Sequence, residues 1–204
     1  PILATLGTLQ LYGGLGIVIT RGPAITGLPG WYGETFNASL AGLVPVPLIV
    51  FALVAMALGA LMRFTATGVR LRLYGANPLA ARFAGMREPR LIIRIYSIAG
   101  LVAALAGLVI LARTNSANAD YGGSYLLLVI LINILAGVSP FGGFGSTLGV
   151  VLAVVTLQLI SSGLNFLAFT AFARDLFFGG LLVVVMSARA LLERGLLPRP
   201  RFGK

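Results

Sequence analysis

The side chains that most often perform chemistry are scarce in this chain of 204 residues. Histidine and cysteine are absent, and only five carboxylates occur. Thiolate and imidazole metal sites, and nucleophilic triads that use a histidine base, are therefore excluded. We predict no catalytic residue, no metal site and no cofactor, and hence that the chain is not an enzyme.

One glycine-rich run, residues 139–146 (SPFGGFGS), has the composition of a phosphate-binding loop. It contains Gly142, Gly143 and Gly145. A P-loop cradles phosphate with backbone N–H groups, but it also needs a lysine directly after its last glycine. Lys204 is the only lysine in the chain. The run therefore favours a tight turn between two helices, or a re-entrant hairpin, and ATP hydrolysis by this chain is excluded.

The apolar stretches carry amides and hydroxyls where an ion-coupled carrier would carry charges. Apart from tyrosine, no ionisable acid or base occurs between Ser124 and Phe172, which speaks against ion coupling. A path for a neutral polar solute is one use of the polar groups at Asn133, Gln158, Ser161, Ser162 and Asn165. Hydrogen bonds between helices are the other use, and the more common one.

The elements that position these residues are apolar helices. The chain is 58% apolar and 10% charged, with a mean hydropathy of +1.01, whereas soluble domains carry about 25% charged residues. We predict an all-α, multi-pass transmembrane bundle, one membrane domain over residues 1–204. Its six candidate segments are 1–20, 44–62, 91–112, 124–138, 147–164 and 176–188. The fourth is short for a bilayer, so 124–163 makes either two full crossings or a re-entrant hairpin.

The basic residues indicate the orientation of these segments. Seven arginines against Glu88 give +6 between residues 63 and 94, and five cations against Glu193 give +4 in the tail 189–204. The remaining charges cancel, so the whole net charge of +10 lies in these two segments. The positive-inside rule places both in the cytoplasm. The chain is then one membrane unit with no room for a soluble domain, so we predict no nucleic-acid partner.

The cytoplasmic loop 63–90 contains the signals of one short helix. Asn77 is a good N-cap, and Pro78 then occupies the first helical position. The helix is predicted to end at residue 83 or 84, with Gly85 as its stop. Its small surface, with Ala80, Ala81 and Arg82, suits docking into a groove on a partner; a structural cap on the loop is the alternative.

Taken together, these residues resemble a known family. The chain resembles the membrane permease subunit of bacterial ATP-binding-cassette importers, in the ribose- and xylose-type branch of the branched-chain amino acid and sugar permeases. The resemblance covers nearly all of the chain. It rests on residues 2–7 (ILATLG), 12–14 (YGG), 20–23 (TRGP), 45–47 (PVP), 67–68 (TG), 75–82 (GANPLAAR), 85 (G), 96–107 (YSIAGLVAALAG), 112–113 (AR), 137 (G), 142–145 (GGFG) and 163–165 (GLN).

The resemblance implies a role for the short cytoplasmic helix and a set of partners. Residues 77–85 would be the coupling helix, the segment that docks on a separate ATPase subunit. Further partners would be a second permease subunit, identical or different, a soluble periplasmic substrate-binding protein and the lipid of the bacterial inner membrane. Family members carry several more N-terminal helices, so this chain corresponds to the C-terminal portion of a longer permease, with its C-terminus in the cytoplasm. Leu79 stands where the family usually has an acidic residue.

The function expected from residues and resemblance is a translocation path for a sugar or similar small polar solute in an ATP-driven importer. Two alternatives remain open. One is a passive channel or ion-coupled carrier that works without an ATPase. The other is a degenerate remnant that no longer transports. The solute itself cannot be named from the sequence.

Overall fold

The computed structural model describes residues 2–22, 24–40, 44–139 and 142–193, and within these ranges the chain is predominantly helical. Ten helices follow one another, interrupted by four two-residue strands. Residues 194–204 of the predicted tail, and Pro140 and Phe141 of the glycine-rich run, lie outside the described residues. The predicted all-α architecture is therefore confirmed.

The helices and strands have the following bounds. The elements are α1 (Ile2–Thr20), β1 (Ile25–Thr26), α2 (Gly30–Asn37), β2 (Ser39–Leu40), β3 (Val44–Pro45), α3 (Val46–Phe64), α4 (Ala66–Ala76), α5 (Pro78–Phe83), α6 (Glu88–Thr114), β4 (Ser116–Ala117), α7 (Tyr121–Ser124), α8 (Leu126–Leu135), α9 (Thr147–Phe166) and α10 (Ala171–Glu193).

Four helices of the described part are long and apolar enough to cross a membrane. They are α1, α3, α6 and α9, and each coincides with one of the six predicted segments. Within the fourth predicted segment the only longer helix is the ten-residue α8, which Tyr125 separates from the short α7 before it. The sixth lies inside α10, which has 23 residues. A crossing by either of these two segments stays a prediction.

The chain divides into two compact units. The first comprises residues 1–70 and 82–124, and in it α2 packs against α3 and α6. The Tyr32 hydroxyl donates to the carbonyl of Leu108 at 2.9 Å, and the Asn37 amide donates to that of Ala112 at 3.2 Å. The strands β1 and β4 pair antiparallel beside these contacts. Polar side chains of α2 thus attach it to the long helix α6.

The second unit comprises residues 71–81 and 125–204, and α8 lies at its centre. This helix packs against both α9 and α10. The shared core consists of Leu131, Ile132, Ala153, Leu157 and Phe178. Gly149 allows α9 to come close to the end of α8, since a Cβ there would lie 2.8 Å from the carbonyl oxygen of Ala136. The second unit is therefore a close-packed group of three helices.

Candidate coupling site and translocation surface

Local side-chain chemistry defines the beginning and the end of α5. The Asn77 side-chain oxygen accepts a hydrogen bond from the Ala80 N–H at 3.0 Å, and Pro78 is the first helical residue. Gly85 follows the helix with a φ of +75°, and its N–H donates to the carbonyl of Arg82 at 3.0 Å. A left-handed residue of this kind is a common stop. The short helix expected from the sequence is therefore present, with both of its terminal signals in use.

The exposed surface of α5 differs in part from the expected one. Ala80 is exposed, but Ala81 is buried at 4% exposure. The Ala81 methyl group is therefore not part of the exposed surface of α5, and a docking role for this residue stays a prediction. The largest exposed apolar side chains are those of Leu79 at 63% and Phe83 at 86%. They are four residues apart and hence on the same helix face, a spacing that is visible in the sequence.

Arg82 at the end of α5 forms an ion pair with Glu88 at the start of α6. The Arg82 Nε lies 2.8 Å from a carboxylate oxygen of Glu88, and the two side chains are 68% and 27% exposed. Exposed pairs of this kind contribute about 0–1 kcal/mol to stability. The pair thus orients Arg82 while leaving most of its guanidinium accessible to a partner.

The glycine-rich loop between α8 and α9 contacts the segment that leads into α5. A Cβ on Gly75 would lie 2.6 Å from the Gly143 nitrogen, and a Cβ on Gly143 would lie 2.8 Å from the Ala76 Cα. Gly142 and Gly143 also have φ angles of +94° and +80°. Backbone therefore packs directly on backbone, immediately before the N-cap residue Asn77.

The loop is a closed turn rather than an open cradle. The Ser139 N–H donates to the carbonyl of Phe144 at 3.0 Å, and the Gly142 N–H donates to that of Ser139 at the same distance. Gly145, with a φ of +155°, lies against Val138. Because Gly75 covers the Gly143 nitrogen, this face of the loop is not open to a phosphate.

Four of the five candidate path residues lie together on α9. Gln158, Ser161, Ser162 and Asn165 recur at helical spacing, and we call them the polar strip. Gln158 and Asn165 are exposed and both serines are half-buried, while Leu157 of the same helix enters the core. This arrangement leaves the polar strip accessible beside the packed face.

The fifth candidate, Asn133, lies on α8 and is half-buried. Its amide donates to the carbonyl of Val129, one turn earlier in the same helix, at 2.9 Å. The structure therefore shows a local backbone partner for this side chain and does not group it with the polar strip.

Comparison with known proteins identifies the family. Residues 1–186 match the family described as "Branched-chain amino acid transport system / permease component". Among similar curated proteins, the "Ribose import permease protein RbsC" of Bacillus subtilis (strain 168) is 36% identical over 195 residues, 95% of this chain and 59% of that protein. The "Autoinducer 2 import system permease protein LsrD" of Yersinia enterocolitica is 31% identical over 204 residues, 97% of this chain and 61% of that protein.

The chain thus spans about three fifths of the length of these relatives. No solved structure gives a significant match. The family match covers the four membrane-length helices, the short helix α5 and the glycine-rich loop. The chain belongs to the family of branched-chain amino acid transport system permease components.

Proposed function

We propose that this chain is part of the membrane-spanning permease subunit of an ATP-driven importer, and that it forms part of the path for a sugar or similar small polar solute. The observation that carries the proposal is the capped helix α5, whose preceding residues pack on the loop between α8 and α9. The relatives named as import permeases for ribose and autoinducer 2 support this choice of solute class.

The proposed mechanism is mechanical coupling. An ATPase subunit binds α5 and moves it as ATP is bound and hydrolysed. Gly75 and Ala76, just before α5, are in backbone contact with Gly143, so a displacement of this end of α5 reaches the loop without an intervening flexible side chain. The loop is continuous with α9, which carries the polar strip. Because packed protein is hardly compressible, a shift of α5 moves the path residues and exposes them to each side in turn.

Besides this chain, the proposed assembly contains three kinds of component. A second permease subunit, identical or different, completes the path, and ATPase subunits bind on the cytoplasmic side. A soluble binding protein delivers the solute on the opposite side. The site of action is the bacterial inner membrane, with the C-terminus in the cytoplasm, as the two basic segments indicate. In this assembly the chain itself hydrolyses nothing.

Reconstitution in vesicles tests the proposal. The chain is combined with candidate ATPase and binding proteins, and solute-dependent ATP hydrolysis and solute uptake are measured together. We expect one solute to stimulate both activities. Uptake without any bound ATPase would favour a passive channel, and the absence of both activities with every candidate set would favour a non-transporting remnant.

Substitution of Arg82 separates docking from local structure. We expect Arg82→Gln to reduce solute-stimulated ATP hydrolysis about tenfold or more, because a charged contact at a buried interface contributes about 2–5 kcal/mol. Glu88→Gln removes the same ion pair but leaves Arg82 in place, so it serves as the matched control. Equal losses in both variants would show that Arg82 acts only through Glu88.

Substitution in the polar strip tests the path. We expect Gln158→Leu and Asn165→Leu each to reduce uptake about tenfold while basal ATP hydrolysis is unchanged, since a lost hydrogen bond to the solute costs about 1–3 kcal/mol. Thr156→Val is the control, because Thr156 lies on another face of α9 and its hydroxyl bonds the carbonyl of Leu152. Uptake measured over a range of solute concentrations checks this, and unchanged uptake in both leucine variants would contradict the assignment.

A further inference from the structure

A cavity of about 440 Å³ lies in the first unit, where α4 and the start of α6 meet. Four arginines line it: Arg70, Arg87, Arg90 and Arg94. Thr67, Leu91 and residues 84–86 complete its wall, and none of the described residues that line it is a carboxylate. The function proposed above does not use this concentration of positive charge.

The arginines converge because of helix geometry. Arg87 is the N-cap of α6, and Arg90 and Arg94 follow at spacings that place all three on one face of the helix. Arg70 reaches the same cavity from α4. The N-terminus of a long helix adds a partial positive charge at this place. The nearest carboxylate in sequence, that of Glu88, forms an ion pair with Arg82. The cavity is therefore suited to an anion.

The position of the cavity along the chain indicates which anion is available there. Helix α6 has 27 residues and is hence about 40 Å long, roughly 10 Å more than a hydrocarbon core. Its uncharged apolar part begins directly after Arg94. Helix α4 begins two residues after the end of the membrane-length helix α3. When α3 and α6 cross the membrane as the proposed function requires, the cavity lies at the end of both helices, at the depth of lipid headgroups.

We propose that this cavity binds the phosphate of an anionic phospholipid headgroup in the leaflet that the basic loop faces. Guanidinium groups bind phosphate oxygens with two parallel hydrogen bonds, and basic pockets beside membrane helices accept such headgroups. The proposal rests on the membrane placement within the proposed function. Free phosphate has the same chemistry, so the experiment must separate the two sources.

The test measures lipid retained by the purified chain. The protein is reconstituted with equal amounts of phosphatidylcholine and phosphatidylglycerol and extracted again, and bound lipid is quantified by mass spectrometry. We expect phosphatidylglycerol to be enriched. The double variant Arg90→Gln/Arg94→Gln should retain about 30-fold less phosphatidylglycerol. This factor follows because each cation at a membrane surface contributes about 1 kcal/mol of attraction to an anionic lipid. The amount of phosphatidylglycerol retained by Arg90→Lys/Arg94→Lys should lie between those of the unmodified chain and the glutamine variant, because lysine keeps the charge but loses the paired hydrogen bonds.

The matched control is Arg63→Gln/Arg72→Gln, which removes two charges from the same basic segment outside the cavity. We expect it to retain phosphatidylglycerol like the unmodified chain. Equal losses in both glutamine variants would mean diffuse attraction and would overturn the proposal. All four arginines concerned are exposed, so the variants should fold, and unfolding temperatures in detergent check this.

Two other outcomes would also overturn the lipid assignment. If inorganic phosphate displaces phosphatidylglycerol from the unmodified chain, the occupant is free phosphate. If the cavity variant retains its lipid but no longer binds the candidate ATPase, the arginines face a protein partner. Lipid retention is measured without any ATPase, so its result does not depend on whether the import assay succeeds.

Discussion

Replacing Gly143 by alanine is expected to abolish solute-stimulated ATP hydrolysis and to destabilise the chain by about 2–6 kcal/mol. The added Cβ would lie 2.8 Å from the Cα of Ala76, and overpacking of this kind costs about 1–3 kcal/mol. The φ of +80° adds a further cost of about 1–3 kcal/mol for a residue with a side chain. The backbone contact through which α5 is proposed to move α9 would be lost.

Three further glycine variants separate the two causes. Gly75→Ala introduces only a steric overlap. Its Cβ would lie 2.6 Å from the Gly143 nitrogen, whereas Gly75 has no positive φ and so no added backbone strain. Gly85→Ala adds only the backbone strain, since its φ is +75° and its surroundings are open. Gly163→Ala adds neither and sits in α9, where alanine is favoured over glycine.

Thermal unfolding in detergent and stimulated ATP hydrolysis are measured for the whole series. We expect Gly143→Ala to lose most of both stability and stimulated hydrolysis, and Gly75→Ala to lose less of both. Gly85→Ala should lose stability and a smaller part of stimulated hydrolysis, because Gly85 ends α5 but does not contact Gly143. Gly163→Ala should match or exceed the unmodified chain. If Gly143→Ala behaves like Gly163→Ala, the contact between the loop and the segment before α5 does not operate in the assembled permease.

The double variant Leu79→Asp/Phe83→Asp is expected to weaken binding of the ATPase subunit at least about a hundredfold. Burying one large apolar side chain contributes about 1.5–3 kcal/mol, and such groups dominate the energy of interfaces. Because both side chains are exposed, the chain's own stability should not change. Affinity for the candidate ATPase, measured on the reconstituted permease, checks this expectation.

Val69→Asp provides the control for this double variant. Val69 lies in α4 and is 51% exposed, so its replacement introduces a similar polarity change outside α5. ATPase affinity should be unaffected in this variant. If it falls as far as in the α5 variant, added negative charge in this basic region, and not loss of the apolar face, would explain the result.

Local chemistry explains which parts of the fold could be predicted. The caps of α5 depend on Asn77, Pro78 and Gly85, whose preferences act over a few residues. The long apolar helices follow from composition in the same way. The boundary between α7 and α8 at Tyr125 is not predicted by the sequence, because residues 124–138 form one uncharged, mostly apolar stretch.

The site was harder to predict where it depends on tertiary contacts. Gly75 and Gly143 are far apart in sequence, and a contact made of backbone alone leaves no side-chain signature that would pair them. The burial of Ala81 is likewise decided by its neighbours, since alanine suits a surface and a core equally. The spacing of Arg87, Arg90 and Arg94 predicts that they share one helix face, but no local signal in the sequence places Arg70 of α4 beside them.

The contact between Gly75 and Gly143 also determines sidedness without any reference to charge. Two segments whose backbones touch cannot lie on opposite faces of a bilayer. Whichever face holds the start of α5 therefore also holds the turn between α8 and α9. A cysteine label at exposed Phe144 and one at exposed Leu79 must accordingly react from the same side of a sealed vesicle. Helix α9 therefore begins on the side of the bilayer that holds the start of α5, whatever the orientation of the permease.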